Sequence, residues 1–535
     1  MKSFEDSAKE KILFLIFTAL AGLIILYPFL NFQPTLSQGD HGSNLYAFQQ
    51  VFHGRVPYQD FWYPYGPLMP YYYSLFFRLL GENIQSVLAG VVFLKFLGGI
   101  FCYLALSIFI PAFLAFAAAV WFWVFNPDFF FNFNHIGAVT CSLACVYCLF
   151  LYFKKLNPWA FLGGLLSALF ILFIRVNMGI FILLAFLFCV GWARWLKGKL
   201  SVKRHKPHFI LFLLILFLSF IFLRQLSWEG SSVYSVKTYL SYFKNLLNPL
   251  VFLARLEFYF KQLWEMNTSA LSNAIFAVLG LLTLFRTGQI LFSRRDEQNQ
   301  KQFILFTLGS SLIFLIAASH EYFASGIVYR LAWLLPFETL FIFLSIGFAT
   351  RHIKSPIPPL IYFAVFLIPL IQIFNVQDAI GTLKTSKNYL AVPRGQIYVG
   401  NSRRWITTVK QTTDYLNNHL QKDETFLALP YESIYYFLTG KESPTWMLSL
   451  IQAHASSELE ENILKILETK NIQYVVLSNR MNSREDGVGI LGTTYFKRVY
   501  NYIMGNYEVT AAFGKWDAPA QWAENHAVRI LKRKK

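Results

Sequence analysis

Charged residues and cysteines are both scarce in this chain of 535 residues, and each shortage excludes a class of protein. Only 14% of the residues are charged, whereas 56% are hydrophobic and 19% aromatic, which is not the balance of a soluble domain. All five cysteines fall in hydrophobic runs, so a disulfide-stabilised extracellular scaffold is not indicated. No Gly-rich phosphate loop follows a predicted strand, so the sequence does not indicate a nucleotide-binding site.

Long hydrophobic runs are abundant instead. Runs near the length that crosses a bilayer recur along residues 1–374 and predict about eleven transmembrane helices. The first run, 12–30, ends without a small-residue cleavage site, so we expect an anchor helix rather than a removable signal peptide. The other spans are predicted at 86–110, 111–125, 137–153, 159–174, 177–196, 209–224, 270–290, 303–319, 329–349 and 357–374.

The formal net charge of +18 could suggest a nucleic-acid partner, but the positions of the basic residues favour a membrane. Lys and Arg cluster in alternate loops, as the positive-inside rule requires. We therefore expect no nucleic acid, a cytoplasmic N-terminus and a multi-pass protein of the inner or plasma membrane. The loops at 31–83, 126–136, 225–269 and 320–328, and everything after residue 374, are then expected on the outer face.

The chain after residue 374 has a different pattern. Its hydrophobic runs shorten to strand length, as in 425–429, 474–477 and 528–531, with helix-like stretches between them. The predicted fold class is an α-helical polytopic membrane protein with a C-terminal extracytoplasmic α/β domain. We place the boundary between a transmembrane catalytic domain at 1–374 and the α/β domain at 375–535.

The first predicted outer loop is the part of the chain richest in chemistry. A carboxylate at a membrane–water rim can deprotonate an acceptor hydroxyl or hold a divalent metal ion, and the acids here are Asp40, Asp60 and Asp128 in the next loop. Cations that suit a phosphate group lie at the same predicted depth. The candidates are Arg55, Arg175 and Arg330, with His53, His135 and His320 near them.

Each candidate also has a structural interpretation. Asp40 follows a glycine and could cap a turn or helix, and Asp60 could fix its loop. Tyr63 and the neighbouring rings would form an interfacial aromatic belt, or else stack on a sugar or an isoprenoid chain. Arg175 and Arg330 could simply extend towards the interface.

A family resemblance bears on these alternatives. Its motifs are Asp40 just past the first span, Tyr46, then Gly54-Arg-Val-Pro57-Tyr58-Gln-Asp60-Phe61 and Tyr63-Pro64-Tyr-Gly66-Pro67. Together they resemble the first outward loop of the GT-C membrane glycosyltransferases, in particular the bacterial branch close to protein O-mannosyltransferases and the lipid A aminoarabinose transferase. In that family the aspartate of this loop is the catalytic acid, and it maps to Asp40. Asp128 occupies the place of a second acid in the next outward loop.

The resemblance implies a mechanism. A polyprenyl-phosphate sugar would enter from the membrane with its phosphate near the outward arginines, and Asp40 would activate a hydroxyl of a glycan, lipid or protein acceptor for attack with inversion. Asp128 would orient the acceptor or hold a metal. His41 stands where many relatives have another acid, so a divalent metal ion stays open as a cofactor. The loop at 225–269 could lie on the membrane surface as an amphipathic gate.

Three other functions stay open from the sequence. An envelope glycan ligase or polymerase would also bind a lipid-linked sugar, but such enzymes usually use a late, large loop. A lipid or solute transporter would place ionisable groups near the middle of the membrane and often show an internal repeat, and no repeat of the Asp40 loop is present. In a non-catalytic scaffold, substitutions of the side chains at the membrane–water rim would not change the function.

Overall fold

The computed structural model describes residues 7–125, 133–198, 248–265, 288–289, 298–326, 330, 333–351, 357–482, 487–517 and 527–535. Apolar helices dominate the chain up to residue 383. They are α1 (Ala8–Leu26), α4 (Ile84–Leu106), α5 (Ala112–Val124), α6 (Phe133–Lys155), α7 (Pro158–Ile174), α8 (Val176–Leu196), α10 (Gln298–Ser325), α11 (Leu335–Thr350) and α12 (Ile357–Leu383), with α9 (Pro249–Glu265) before α10. Two further helices, α2 (Asp40–Phe52) and α3 (Leu68–Leu80), lie between α1 and α4.

Six of these helices are long and apolar enough to cross a membrane, namely those at α1, α4, α6, α8, α10 and α12. By length and composition the chain is therefore a multi-pass membrane protein. The apolar helices α5, α7 and α11 are shorter. The predicted spans at 209–224 and, apart from two residues, 270–290 lie outside the described residues, so the count of eleven stays a prediction.

Local signals explain several helix boundaries. The Asn83 side chain accepts a hydrogen bond from the Ser86 N–H at 2.9 Å and so caps α4. Asn157 caps α7 in the same way, and Pro158 occupies the first turn, where a missing N–H costs nothing. A loop hydrogen bond holds the first loop to the turn between α7 and α8, because the Gly66 N–H donates to the Ile174 carbonyl at 3.0 Å.

The C-terminal region, residues 384–535, is built from short strands and helices. Its helices are α13 (Arg403–His419), α14 (Ile434–Thr439), α15 (Ser457–Thr469) and α16 (Lys497–Asn506). Strands β4 (Phe426–Leu429), β5 (Tyr474–Ser478), β6 (Tyr507–Gly514) and β7 (Ala527–Arg533) form a sheet in the order β4-β5-β7-β6, in which only β4 and β5 are parallel. The division into two domains at residue 374 stays a prediction.

The C-terminal region is joined to the first loop through main chain and core. Strand β1 (Phe32–Gln33) pairs in parallel with β3 (Ile397–Val399), which pairs on its other side with β2 (Tyr389–Leu390). One cluster of buried residues runs without a break from the apolar helices through α2 and α3 into α13 and β4. This shared core fixes the position of the first loop between the helices and the C-terminal region.

Candidate functional site

Asp40 is the first residue of α2, and its carboxylate is the centre of the site. The preceding Gly39 is the N-cap residue and supplies no side chain to the cap. A carboxylate in the first turn is favoured by the positive end of the helix dipole and by the free N–H groups there. Asp40 stays partly exposed, so a substrate can reach it. Its Oδ1 accepts a hydrogen bond from the hydroxyl of Tyr431, at 2.9 Å.

Tyr431 belongs to the C-terminal region and is buried, with 4% of its surface exposed. Burial raises the pKa of its phenol well above the ordinary value, and the charge of Asp40 raises it further. The phenol therefore stays protonated and acts as the donor. Its ring lies on Gly39, where a Cβ atom would come 2.4 Å from the ring Cδ1.

A hydrogen-bonded group of buried side chains supports α2 behind Asp40. The Asn44 amide donates to the Asp40 carbonyl at 2.8 Å, and the Asn134 amide donates to Asn44 Oδ1 at 2.7 Å. The Tyr63 hydroxyl is 2.9 Å from the side-chain oxygens of both Asn44 and Asn134, and its single proton serves one of them at a time. Tyr63 thus connects the first loop to α6.

The interfacial aromatic belt, one of the two alternatives for the rings of this loop, does not describe several of them. Trp62, Tyr63 and Tyr73 are buried and pack inside the protein rather than at its surface. The Tyr73 hydroxyl donates to the Phe133 carbonyl at 2.8 Å, and the main-chain N–H of Trp62 donates to the Trp446 carbonyl at 2.9 Å. These rings hold the first loop against α6 and the C-terminal region.

A second cluster lies at the ends of α7 and α10, and its centre is Glu321. Arg175, in the turn between α7 and α8, directs Nε and a terminal nitrogen to Glu321 Oε1, at 3.0 and 2.8 Å. The Asn177 amide donates to the same oxygen at 2.8 Å. Glu321 is 1% exposed, so the arginine is the countercharge that such a buried carboxylate requires.

Aromatic rings and further basic groups surround this ion pair. The guanidinium carbon of Arg175 lies 5.3 Å from the ring centroids of both Tyr65 and Trp333. The Arg330 side chain donates to the Glu321 carbonyl at 3.3 Å and lies 5.8 Å from the Trp333 ring. His135 stacks on Trp333, with centroids 3.7 Å apart, and its Nε2 is 4.0 Å from Glu321 Oε2.

Tyr65 connects the two clusters. Its ring packs edge-on against the Tyr63 ring, with centroids 5.8 Å apart, and lies 5.3 Å from the guanidinium carbon of Arg175. Gly66 permits this approach, because a Cβ atom there would lie 2.0 Å from the Phe173 carbonyl oxygen. The site therefore has a partly exposed carboxylate on one side and two guanidinium groups beside one buried carboxylate on the other.

The structure brings together part of the predicted set. Asp40, Tyr63, His135, Arg175 and Arg330 belong to the two clusters described above. His320 precedes Glu321, stacks on Phe181 with centroids 4.1 Å apart, and has Nδ1 2.6 Å from the Ala317 carbonyl. Asp128 lies outside the described residues, and its role stays a prediction.

Three other predicted residues lie elsewhere. His53 and Arg55 follow the far end of α2, about 20 Å from Asp40 at the rise of an α-helix. His53 is 3.4 Å from Glu82, and Arg55 is 3.3 Å from Glu442. Asp60 accepts a hydrogen bond from the Val56 N–H at 2.7 Å. This is the loop-fixing interaction that the sequence offered as the structural alternative for Asp60.

Sequence reasoning missed Glu321 and Tyr431. Glu321 does have a signal, because an acid at the end of an apolar run needs a partner or a function. No sequence signal marks Tyr431, because it is one of 29 tyrosines and lies in the region predicted to form a separate domain. Among the described residues, no three His, Cys, Asp or Glu side chains meet in a way that could hold a metal ion.

Comparisons with known proteins return solved structures of membrane glycosyltransferases. No family model and no curated protein matches the chain. The arabinofuranosyltransferase AftD from Mycobacteria is 13% identical over 97% of this chain, with a TM-score of 0.48. This chain spans only 40% of the AftD chain.

Two further structures are similar over most of their own length. ArnT from Cupriavidus metallidurans, bound to undecaprenyl phosphate, is 10% identical. The match covers 98% of this chain and 98% of the ArnT chain, with a TM-score of 0.45. The oligosaccharyltransferase AglB from Archaeoglobus fulgidus, in complex with an inhibitory peptide and a dolichol-phosphate, is 10% identical, with 88% of this chain and 70% of AglB covered and a TM-score of 0.41. All three are GT-C glycosyltransferases, the superfamily that the first loop resembles. Identities and TM-scores this low assign no activity to the chain.

Proposed function

We propose that this protein is a glycosyltransferase that moves a sugar from a polyprenyl-phosphate donor to a hydroxyl group of an envelope glycan, lipid or protein at the outer face of the membrane. The single observation that carries the proposal is the site's pairing of unlike charges. The side chains of Asn44, Tyr63 and Tyr65 connect the partly exposed carboxylate Asp40 to the guanidinium group of Arg175. Arg330 adds a second guanidinium group at Glu321. Such a pair of groups suits a hydroxyl acceptor on one side and a phosphate leaving group on the other.

The cationic side offers two guanidinium groups to a phosphate. Arg175 lies on the Glu321 carboxylate, and Arg330 lies on the Glu321 carbonyl. Guanidinium groups present planar, directed donors that match phosphate oxygens. Tyr65 and Trp333 flank Arg175. A lipid-linked phosphate entering from the membrane would meet these groups at this end of α7 and α10.

The acidic side supplies a partly exposed carboxylate for the role of general base. Asp40 would take the proton of the acceptor hydroxyl, and the resulting oxygen would attack the anomeric carbon as the bond from that carbon to the phosphate oxygen breaks. The leaving phosphate keeps the bonding electron pair, and the arginines stabilise its charge. Attack and departure on opposite faces of the sugar give inversion. Asp128 remains the proposed second acid of this site.

The test is a mass-spectrometric comparison of envelope glycans and lipid-linked sugars in source cells that carry either the intact protein or Asp40→Asn at equal membrane abundance. The substitution preserves size and removes the charge. We expect transfer to fall by at least about 100-fold, the usual contribution of a general base, while a polyprenyl-phosphate sugar accumulates. Asp414→Asn is the control, because Asp414 forms an exposed pair with Lys410 on the surface of α13.

Two other outcomes would change the conclusion. Unchanged profiles in the Asp40→Asn cells would overturn the proposal and favour a transporter or a scaffold. Accumulation of whole lipid-linked repeat units, rather than a single sugar, would indicate a ligase or polymerase that uses the same site. The missing sugar names the substrate if the proposal holds.

A further inference from the structure

We infer that the C-terminal region completes the active site, and that Tyr431 is a positioning residue that sets the direction of the Asp40 carboxylate. This inference rests on the proposed function, since it assigns a task to a second residue of the same site. It concerns a residue from a part of the chain that the sequence assigned to a separate domain. The hydrogen bond from the Tyr431 hydroxyl to Asp40 Oδ1, at 2.9 Å, is the contact on which it depends.

The contact is one of several that clamp the start of α2. The Ile434 N–H donates to the Gln38 carbonyl at 3.0 Å, and the hydroxyl oxygens of Ser43 and Ser433 are 3.2 Å apart. A Cβ atom at Gly42 would lie 2.3 Å from the Ile434 nitrogen, so the two backbones touch. The segment from Tyr431 to Ile434 therefore stays in register with the helix turn that carries Asp40.

Tyr431 is itself held in place from the far side. It packs with Ile451 and Val488 in a small buried cluster, and the guanidinium carbon of Arg480 lies 5.8 Å from its ring centroid. Arg480 is fully buried and has its Nε 3.8 Å from Glu432. These contacts keep the phenol in one orientation, which is what a group that directs a catalytic carboxylate needs.

The chemical consequence is that the two carboxylate oxygens of Asp40 have different tasks. With Oδ1 accepting the phenolic O–H, rotation of the carboxylate is restricted, and the other oxygen of Asp40 would take the proton of the acceptor hydroxyl. An ionised carboxylate can accept on both oxygens, so the contact with Tyr431 does not consume its capacity as a base. Loss of the phenol would let the carboxylate rotate and would lower the fraction of turnovers that start from a productive geometry.

The test uses Tyr431→Phe in the full chain, which keeps the ring and removes the hydroxyl. The control is Tyr507→Phe, because the buried Tyr507 donates a comparable bond, 2.7 Å long, to the Ile472 carbonyl. Transfer is measured in membranes of the source cells, with Asp40→Asn in the same series, and binding of undecaprenyl phosphate to the purified proteins is measured alongside. We expect Tyr431→Phe to lower the maximal rate by about 10-fold, with the lipid-phosphate affinity and the thermal midpoint matching those of Tyr507→Phe.

The outcomes separate this inference from the proposed function. If Asp40→Asn abolishes transfer and Tyr431→Phe does not lower it, the inference is wrong and the proposed function stands. If Tyr431→Phe lowers the rate only as much as Tyr507→Phe, or weakens lipid-phosphate binding in parallel, Tyr431 has a structural role and the inference is overturned. If Asp40→Asn leaves transfer intact, the proposed function fails and the inference fails with it.

Discussion

Both ends of α2 carry ionisable side chains, but the chain arranges them differently. At the start of the helix, Asp40 accepts a hydrogen bond from a neutral donor, Tyr431, and keeps part of its surface exposed. Past the end of the helix, His53 lies beside Glu82, while Arg55 lies beside Glu442 of the C-terminal region. A hydrogen bond from a neutral phenol orients a carboxylate, whereas an ion pair fastens two segments of the chain together.

A second contrast, in burial, separates two of the arginine–glutamate pairs. Glu321 is buried and Arg175 is 10% exposed; two nitrogens of Arg175 point at one oxygen of Glu321, and aromatic rings flank the arginine. Arg55 and Glu442 are both about half exposed, at 49% and 57% of their side-chain surface. A surface pair contributes about 0–1 kcal/mol, while breaking a buried pair costs about 3–5 kcal/mol. The comparison therefore predicts very different effects of substitution at the two pairs.

The largest effect is expected from Glu321→Gln. The substitution leaves the largely buried guanidinium of Arg175 without the buried carboxylate that it pairs with, which should lower the stability by about 3 kcal/mol and misplace the group that receives the phosphate. We expect transfer to fall below detection and the thermal midpoint of the purified protein to drop. Glu461→Gln is the matched control, because Glu461 pairs with Arg498 on the surface. Equal midpoints for the two variants would show that burial does not distinguish these pairs.

An intermediate effect is expected from Gly39→Ala. The backbone at Gly39 has φ −80°, which any residue can adopt, so the new methyl group acts only through its contact with the Tyr431 ring. Overpacking of this kind costs about 1–3 kcal/mol, and we expect transfer to fall by about 10-fold as the phenol moves from Asp40. Gly505→Ala is the control, since a Cβ atom there meets nothing within 4 Å. Wild-type transfer in Gly39→Ala would mean that the Tyr431 ring can shift without consequence.

The smallest effect is expected from Arg55→Ala. Its partner Glu442 is exposed and returns to solvent when the arginine is removed, so the stability should change by no more than about 0.5 kcal/mol. Transfer should stay within two-fold of the intact protein in the membrane assay, where two-fold is about the scatter that such a surface change produces. A large loss of transfer would place Arg55 in the donor site after all and would remove the contrast between the two ends of α2.

The sequence located the acid of the site more readily than its cations. Asp40 stands out because it follows the first apolar run and precedes an aromatic loop, two features that are local in the chain. His53 and Arg55 belong to the same loop and looked equally suitable. Their distance from Asp40 follows from the helix between them, which carries the chain about 20 Å away. A sequence motif in a loop shows which residues are close in sequence, but it does not show which end of a helix each residue occupies.

Composition and hydrophobic pattern by themselves determined that this chain crosses a membrane many times, because about 20 apolar residues in a row have few other stable environments. They also determined that strands follow the last long apolar helix, since the hydrophobic runs shorten to strand length there. Only the tertiary structure decided which groups meet. Tyr431 and Asp40 are 391 positions apart, and Arg175 and Glu321 are 146 apart. Contacts of such separation depend on how helices and sheet pack against one another, and periodicity along the chain carries no record of that packing.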